Sequence, residues 1–281
     1  LGEVAVIGAA GRSGATLCRA LGAAGRRARP VVRDLARWQA LGLPGDARVA
    51  DLRDTAAMAR ALAGAAAVVN CAHARHAPAV LAAAPVAARL VLLGSTRRFS
   101  RWPDEHGDGV RQGEAAFLAS GRHGVMLHPT MIYGAAGEDN VQRLAALLRR
   151  LPFAPLPGGG RALVQPIHQD DLTRCILAAL DVDWPGPEAL VVAGPEPLPY
   201  RDFVAAVARA AGLPPPRILP LPAALLRAAA PLTRIIPGLP RIRPDELRRL
   251  LEDKAFDVAP MRERLGVVGM PLDQGLARTF A

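Results

Sequence analysis

The chain is poor in lysine, aromatic side chains and cysteine. Its 281 residues include 35 Lys+Arg, yet Lys254 is the only lysine, and Tyr133 and Tyr200 are the only tyrosines. Cys18, Cys71 and Cys175 lie far apart in apolar runs. That spacing excludes a disulfide framework and a cysteine metal site, and it predicts buried free thiols in a reducing, cytoplasmic setting. No apolar run approaches the ~20 residues that a membrane helix needs. The longest stretch without Asp, Glu, Lys or Arg, His123 to Gly137, is interrupted by His128 and Pro129. Because the N-terminus enters a strand-like run at once, no signal peptide is expected. The hydrophobic fraction of 51% excludes a disordered chain. The net charge of +10 is carried by scattered arginines, with short pairs such as Arg26-Arg27 and Arg97-Arg98. A nucleic-acid surface needs clustered cations interleaved with aromatics. We therefore expect no nucleic-acid partner and read the charge as compositional drift.

What is present is an alternation of short apolar strands and helices. Strands are expected at Val4–Ile7, Arg29–Val32, Ala47–Ala50, Ala67–Asn70, Leu90–Leu93 and Val125–His128. Between them lie helical stretches at Ser13–Ala24, Asp54–Leu62, His76–Ala84 and Val110–Ser120. That order means βαβ units and a parallel sheet. The second half is less regular and rich in proline. Helices are expected at Val141–Arg150, Asp171–Leu180, Arg201–Ala211, Pro222–Arg234 and Asp245–Glu252, with short strands near Val164–Ile167, Leu190–Val192 and Arg217–Leu219. No flexible linker separates the halves. The expectation is a doubly wound Rossmann-type α/β region over residues 1–134. A smaller substrate cap over 135–281 would interleave with it as one unit.

Gly8-Ala9-Ala10-Gly11-Arg12-Ser13-Gly14 follows the first strand and opens the first helix. A nucleotide pyrophosphate needs glycines there. The turn is tight, the backbone must approach the phosphates, and the helix must pack close to the strand. The helix N-terminus then offers N–H groups and positive dipole to the anion.

The GxxGxxG spacing resembles the short-chain dehydrogenase/reductase superfamily, and the resemblance covers most of the chain. Asp51-Leu52 after strand three looks like that family's adenine-contacting pair, and Asn70-Cys71-Ala72 like its turn beside the cofactor ribose. Gly94-Ser95-Thr96 falls where the family keeps its catalytic serine. His128-Pro129-Thr130-Met131-Ile132-Tyr133-Gly134 resembles the RPxxxYG segment of extended members. Pro166 to Leu172 resembles their P-[VI]-H-x-x-D-[VL] segment, and Leu265-Gly266, Pro271 and Gly275-Leu276 resemble their ending. In this order the strings point to an extended or atypical member related to nucleotide-sugar epimerases and dehydratases. The resemblance implies cofactor contacts from Gly8, Ala10, Gly11, Arg12, Ser13, Gly14, Arg33, Asp51, Leu52, Cys71, Ala72, His73, Ser95, Arg111 and Pro129. It places Ser95 and Tyr133 as the catalytic candidates and calls for no metal.

Cofactor choice depends on the end of strand two, Val32-Arg33-Asp34. A guanidinium there forks onto a 2′-phosphate, whereas a carboxylate holds a free ribose hydroxyl. Arg33 favours NADP(H), and Asp34 keeps NAD(H) open.

The family's Tyr-x-x-x-Lys acid/base pair is missing. Tyr133 is followed four residues later by Gly137, Tyr200 by Val204, and Lys254 stands alone. Aligning Glu114 with a family glutamate puts Arg111 at the lysine position and Gly107 at the tyrosine position. His73, His76, His106 and His168 titrate near neutrality and are credible replacements, although a structural role for each is the simpler reading.

Two functions follow. One is an oxidoreductase or epimerase-like enzyme with a rearranged site acting on a small molecule. The other is a non-catalytic NADP(H)-binding sensor or assembly subunit, similar to NmrA-like regulators or the NADPH-holding accessory subunit of respiratory complex I. Residues 219–236 are apolar enough to dock a protein or a membrane surface. The helix over Val110–Ser120 would form a homodimer face by analogy with the family.

Overall fold

The computed structural model describes all residues except 1, 103, 135–139, 152, 223, 226–247 and 281. Its first half runs β1 (Val4–Ile7), α1 (Arg12–Ala23), β2 (Ala28–Val32), α2 (Leu35–Gln39), β3 (Arg48–Val49), α3 (Thr55–Leu62), β4 (Ala67–Asn70), α4 (Ala77–Ala83), β5 (Arg89–Leu93), α5 (Glu105–Ala119) and β6 (Gly124–Pro129). The second half adds β7 (Ile132–Tyr133), α6 (Asn140–Arg150), β8 (Phe153–Pro157), β9 (Leu163–Val164), β10 (Ile167–His168), α7 (Gln169–Asp181), β11 (Pro187–Val192), β12 (Leu198–Pro199), α8 (Tyr200–Ala210), β13 (Arg217–Leu221), α9 (Ala259–Leu265) and α10 (Leu272–Phe280).

Seven strands form one sheet in the order β11-β6-β5-β4-β1-β2-β3, with every pairing parallel. The order 3-2-1-4-5-6 is that of a Rossmann fold, and β11 from the second half extends it. Side chains alternate between two cores. Val4, Val6, Val69, Val91 and Val125 face α1, α7 and α9. Ala5, Ile7, Val68, Leu90, Leu92 and Met126 face α3, α4 and α5. A sheet buried on both faces needs continuous apolar strands, and β1 and β4 are fully buried. The chain direction changes sides between β1 and β4, so a crevice opens above their carboxyl ends.

The cap has its own small core of Tyr133, Val141, Val164, Phe203, Val207 and Leu276. Two-stranded pairings β7-β10, β9-β12 and β8-β13 frame it. The expected strand over Val164–Ile167 is two strands broken at Gln165-Pro166. α5 begins at Glu105, five residues before the expected start. Asp104 caps it by accepting the Gly107 N–H at 2.7 Å, and its glycines serve close packing: a Cβ on Gly113 would lie 1.9 Å from the Ala74 carbonyl. Contact of that kind offsets the ~1 kcal/mol that a mid-helix glycine costs. Most of the helix expected at Pro222–Arg234, the start of that expected at Asp245–Glu252, and much of the apolar 219–236 stretch lie outside the described residues. Among the described residues no helix is long and apolar enough to cross a membrane.

Candidate functional site

The Gly8–Gly14 turn forms the floor of the crevice. Gly8 has φ of +75°, and a Cβ there would sit 3.3 Å from the Ala72 nitrogen. A Cβ on Gly14 would sit 2.3 Å from the Gly8 carbonyl oxygen, so the helix can approach the turn only with glycine. The turn is closed by the Gly11 N–H donating to Gly8 at 2.9 Å. No side-chain oxygen caps α1 at Gly11, which leaves that place to an anion. Ser13 donates its hydroxyl to Gln169 at 2.9 Å, tying the turn to the start of α7.

Above the turn lies a cleft of ≈ 340 Å³, within the range of nucleotide and small-ligand pockets. It brings together Gly8, Ala10, Gly11, Arg33, Asp51, Leu52, Cys71, Ala72 and His73 of the expected set. Arg37 and Arg53, which no motif marks, also line it, together with His76, one of the histidines offered above as a replacement acid/base. The signal for Arg37 was Asp34 three residues earlier, because Asp34 caps α2 by accepting the Arg37 N–H at 3.1 Å. Asp51 likewise accepts the Arg53 N–H at 2.9 Å. Both carboxylates are engaged by backbone donors, while the arginines stand at the cleft. Buried Asn70 shapes the adjoining turn by accepting the Ala72 N–H at 3.1 Å. Burial pushes the Cys71 thiol far above its ordinary pKa, and the Cys18 and Cys175 thiols up to about 12, so none is a thiolate at neutral pH.

A second cavity of ≈ 660 Å³ opens at the ends of β5 and β6. Ser95, Thr130 and Met131 line it together with Arg249, Glu252, Lys254 and Phe256 from the far end of the chain. The Ser95 N–H donates to His128 Nδ1 at 3.1 Å. That contact leaves the His128 proton on Nε2, which lies 3.5 Å from the Glu114 carboxylate. Glu114, 5% exposed, also pairs with Arg98. Ser95 Oγ accepts the Arg97 N–H at 3.2 Å, and Thr96 donates to the Pro129 carbonyl at 3.2 Å. Glu252 accepts from the Ser100 hydroxyl at 2.8 Å and the Arg101 N–H at 2.7 Å, fastening the C-terminal segment over the cavity. Lys254, the single lysine, is part of this wall, and burial holds its pKa below the ordinary value. No sequence motif marked it.

Other expected site residues lie elsewhere. Arg111 donates to the Arg98 carbonyl at 2.9 Å and pairs with Asp108; it lines neither space. Tyr133, 1% exposed, packs edge-on to His168 at 5.2 Å between ring centroids. Its hydroxyl occupies the position that a Cβ on Gly275 would need. Burial, then Asp171 and Asp273, push its pKa up. His168 caps α7 by accepting the Asp170 N–H at 3.2 Å. Among the described residues no group of three or more His, Cys, Asp or Glu is arranged to hold a metal.

No family model matches the chain. A 3-diazoavenalumate denitrifying reductase of Streptomyces is 33% identical over 99 residues, which is 35% of this chain and 30% of that protein's length. Solved structures match across almost the whole chain. The NADPH-dependent quinone oxidoreductase of Escherichia coli, solved with NADPH, is 18% identical with a TM-score of 0.74, covering 99% of this chain and 100% of that one. The UDP-glucuronic acid 4-epimerase of Bacillus cereus, solved with UDP-glucuronic acid and NAD, is 16% identical with a TM-score of 0.72, covering 99% and 98%. A nucleoside-diphosphate-sugar epimerase of Pseudomonas aeruginosa is 21% identical with a TM-score of 0.71, covering 99% and 96%. The chain has the Rossmann-type fold of these epimerase and quinone oxidoreductase structures, the architecture that the short-chain dehydrogenase/reductase resemblance implies.

Proposed function

We propose that the chain binds NADP(H) in the crevice above β1 and β4 and uses it in an oxidoreductase or epimerase-like reaction on a small molecule. The observation that carries this reading is the glycine cradle. Gly8 and Gly14 hold the backbone where a pyrophosphate would sit, at an α1 N-terminus without a side-chain cap. Arg33 and Arg37 at the cleft favour a 2′-phosphate, and Asp34 is turned to capping. Bound there, a nicotinamide nucleotide supplies hydride transfer.

Ser95 faces the second cavity, where its hydroxyl can hydrogen-bond a substrate oxygen. His128 and Glu114 fix the strand end that carries it. Arg98 keeps Glu114 in place. The partial likeness to a reductase and the fold shared with nicotinamide-dependent enzymes are consistent with this reading. A non-catalytic NADP(H)-binding role is favoured by the missing Tyr-x-x-x-Lys pair and by the placement of Arg111 and Tyr133 away from both spaces.

Titration calorimetry with NADPH, NADH, NADP+ and NAD+ tests the proposal. NADPH should bind more tightly than NADH. An Arg33→Ser/Arg37→Ser variant should lose about tenfold for NADPH and leave NADH unchanged, as expected for a lost charge-assisted contact. Absence of binding by all four nucleotides would refute it.

A further inference from the structure

The cavity at the ends of β5 and β6 combines an apolar wall with a cationic one. Phe99 is 47% exposed and packs on Phe256 with ring centroids 5.6 Å apart. Met131 belongs to the same lining. Aromatic and thioether surfaces gain contact with a flat ring without needing hydrogen bonds. The cationic wall is formed by Arg97, Arg101, Arg249 and Lys254.

The carboxylates near that wall are already engaged. Asp104 pairs with Arg97 at 2.6 Å and with Arg249 at 3.0 Å. Glu252 is held by the Ser100 hydroxyl and the Arg101 N–H, and Asp253 accepts the Leu163 N–H at 2.9 Å. Lys254 donates to the Arg249 carbonyl and forms no ion pair among the described residues. An ammonium carries three donors, and this contact uses one. A partly buried cation without an opposite charge costs stability. An anionic group in the cavity would offset that cost.

Lys254 is also held in place. Its backbone N–H donates to the Leu163 carbonyl at 2.8 Å. The Phe256 N–H donates to Gln165 at 2.7 Å, and Gln165 is itself buried and bonded to the Gly194 carbonyl at 2.8 Å. The stretch from 252 to 256 is therefore fastened at Glu252, Lys254 and Phe256. A group fixed before the ligand arrives loses less entropy on binding it.

We infer that Lys254 decides the specificity of this cavity, and that the cavity takes a small ring-bearing anion, with the anionic group on the Lys254 ammonium and the ring against Phe99 and Phe256. Calling that ligand the substrate rests on the oxidoreductase reading above, whereas its binding needs no nucleotide. It would share the cavity with Ser95, which lines it too. Burial draws the Lys254 pKa below its ordinary value. Arg249 and Arg97 add to this, while Glu252 and Asp253 oppose it. A bound carboxylate or phosphate would raise it again.

Lys254 is the only lysine, so labelling the full chain with lysine carrying 13C at Cε gives a single side-chain NMR signal. The probes are 2-naphthoate, 2-naphthyl phosphate and the neutral 2-naphthamide. At least one of the two anions should move the Lys254 signal and raise its titration midpoint, and the amide should do neither. That anion should bind about tenfold more tightly than the amide by calorimetry, as expected for a charge-assisted contact. The tighter anion tells a carboxylate ligand from a phosphate ester. Lys254→Met should erase the preference for the anion, and Lys254→Arg should keep part of it. If K254M fails to fold, Lys254→Gln takes its place. The inference is overturned if neither anion moves the Lys254 signal at about 5 mM. It is also overturned if wild type binds amide and anions equally, or if K254M keeps the preference. NADP+ is titrated separately. Failure of NADP+ to bind while an anion does bind would overturn the nicotinamide reading and leave the anion site standing.

Discussion

The two halves of the site are built by different means. The cleft above the glycine turn is made of backbone and strand ends from residues 7–76, with its walls close together in sequence. The Ser95 cavity joins β5, the segment after β6 and residues 249–256. Buried charge behind it, Glu114 between Arg98 and His128, holds it in shape. A site made by turns depends on glycine stereochemistry. A site made by side chains from distant segments depends on buried partners. Substitutions that separate the two can sharpen or break this comparison.

The largest effect should come from Glu114→Ala. It strips Arg98 and His128 of a nearly buried carboxylate, and loss of one partner of a buried pair costs about 3 kcal/mol. Urea unfolding should show that loss, while NADPH affinity of the remaining folded protein stays near wild type. A matched loss of NADPH affinity would mean that the two halves are one coupled unit. Gly14→Ala is the reciprocal change. Its Cβ meets backbone at 2.3 Å, so it should cost about 2 kcal/mol and abolish nucleotide binding, read by calorimetry. Retained binding would show that the turn is not the cradle.

A smaller effect concerns pH. The folded pKa values of His73, His76 and His106 lie below the ordinary 6.5, so the unfolded chain binds more protons in that window. Stability is therefore complete above pH ~6.5 and should fall as pH drops from there toward about 4, the folded value for His73. His73→Asn should flatten that slope in thermal unfolding curves between pH 4 and 7, and an unchanged slope would remove the cluster as its source. The smallest effect is expected of Tyr133→Phe. The ring is core and its hydroxyl lies against Gly275 rather than either cleft. Stability should change by less than about 1 kcal/mol, and NADPH binding should not change. A marked loss of binding would return Tyr133 to the site.

The parallel sheet could be read from its strands because βαβ units repeat a local pattern. Val4–Ile7 and Ala67–Asn70 stand where the apolar runs place them. The start of α5 could not. Gly107 and Gly109 fall before the expected start at Val110, and Gly109 shows its packing role only when Arg75 of the Ala74–His76 turn is seen against it. Helix α2 was missed because five residues carry too little periodicity, although Asp34 was there to cap it. Arg33, Asp51 and Ala72 were legible because they follow strands that converge on one crevice. Arg111 was placed by a register that the α5 packing shows to be turned away from that crevice.

The sequence by itself determined the shape of the Gly8–Gly14 turn, since a tight strand–turn–helix with glycine at 8, 11 and 14 leaves the backbone few other shapes. It also determined that no Tyr-x-x-x-Lys pair exists, which composition alone decides: Lys254 is the only lysine and neither tyrosine precedes it by four. Tertiary structure decided where that lone lysine went, into the wall opposite Ser95. It also decided which face of α5 packs on the turn after β4, where His106 meets His73. The physical reason is that these contacts span from about thirty to more than 150 residues of chain, and no local propensity encodes a meeting at that separation.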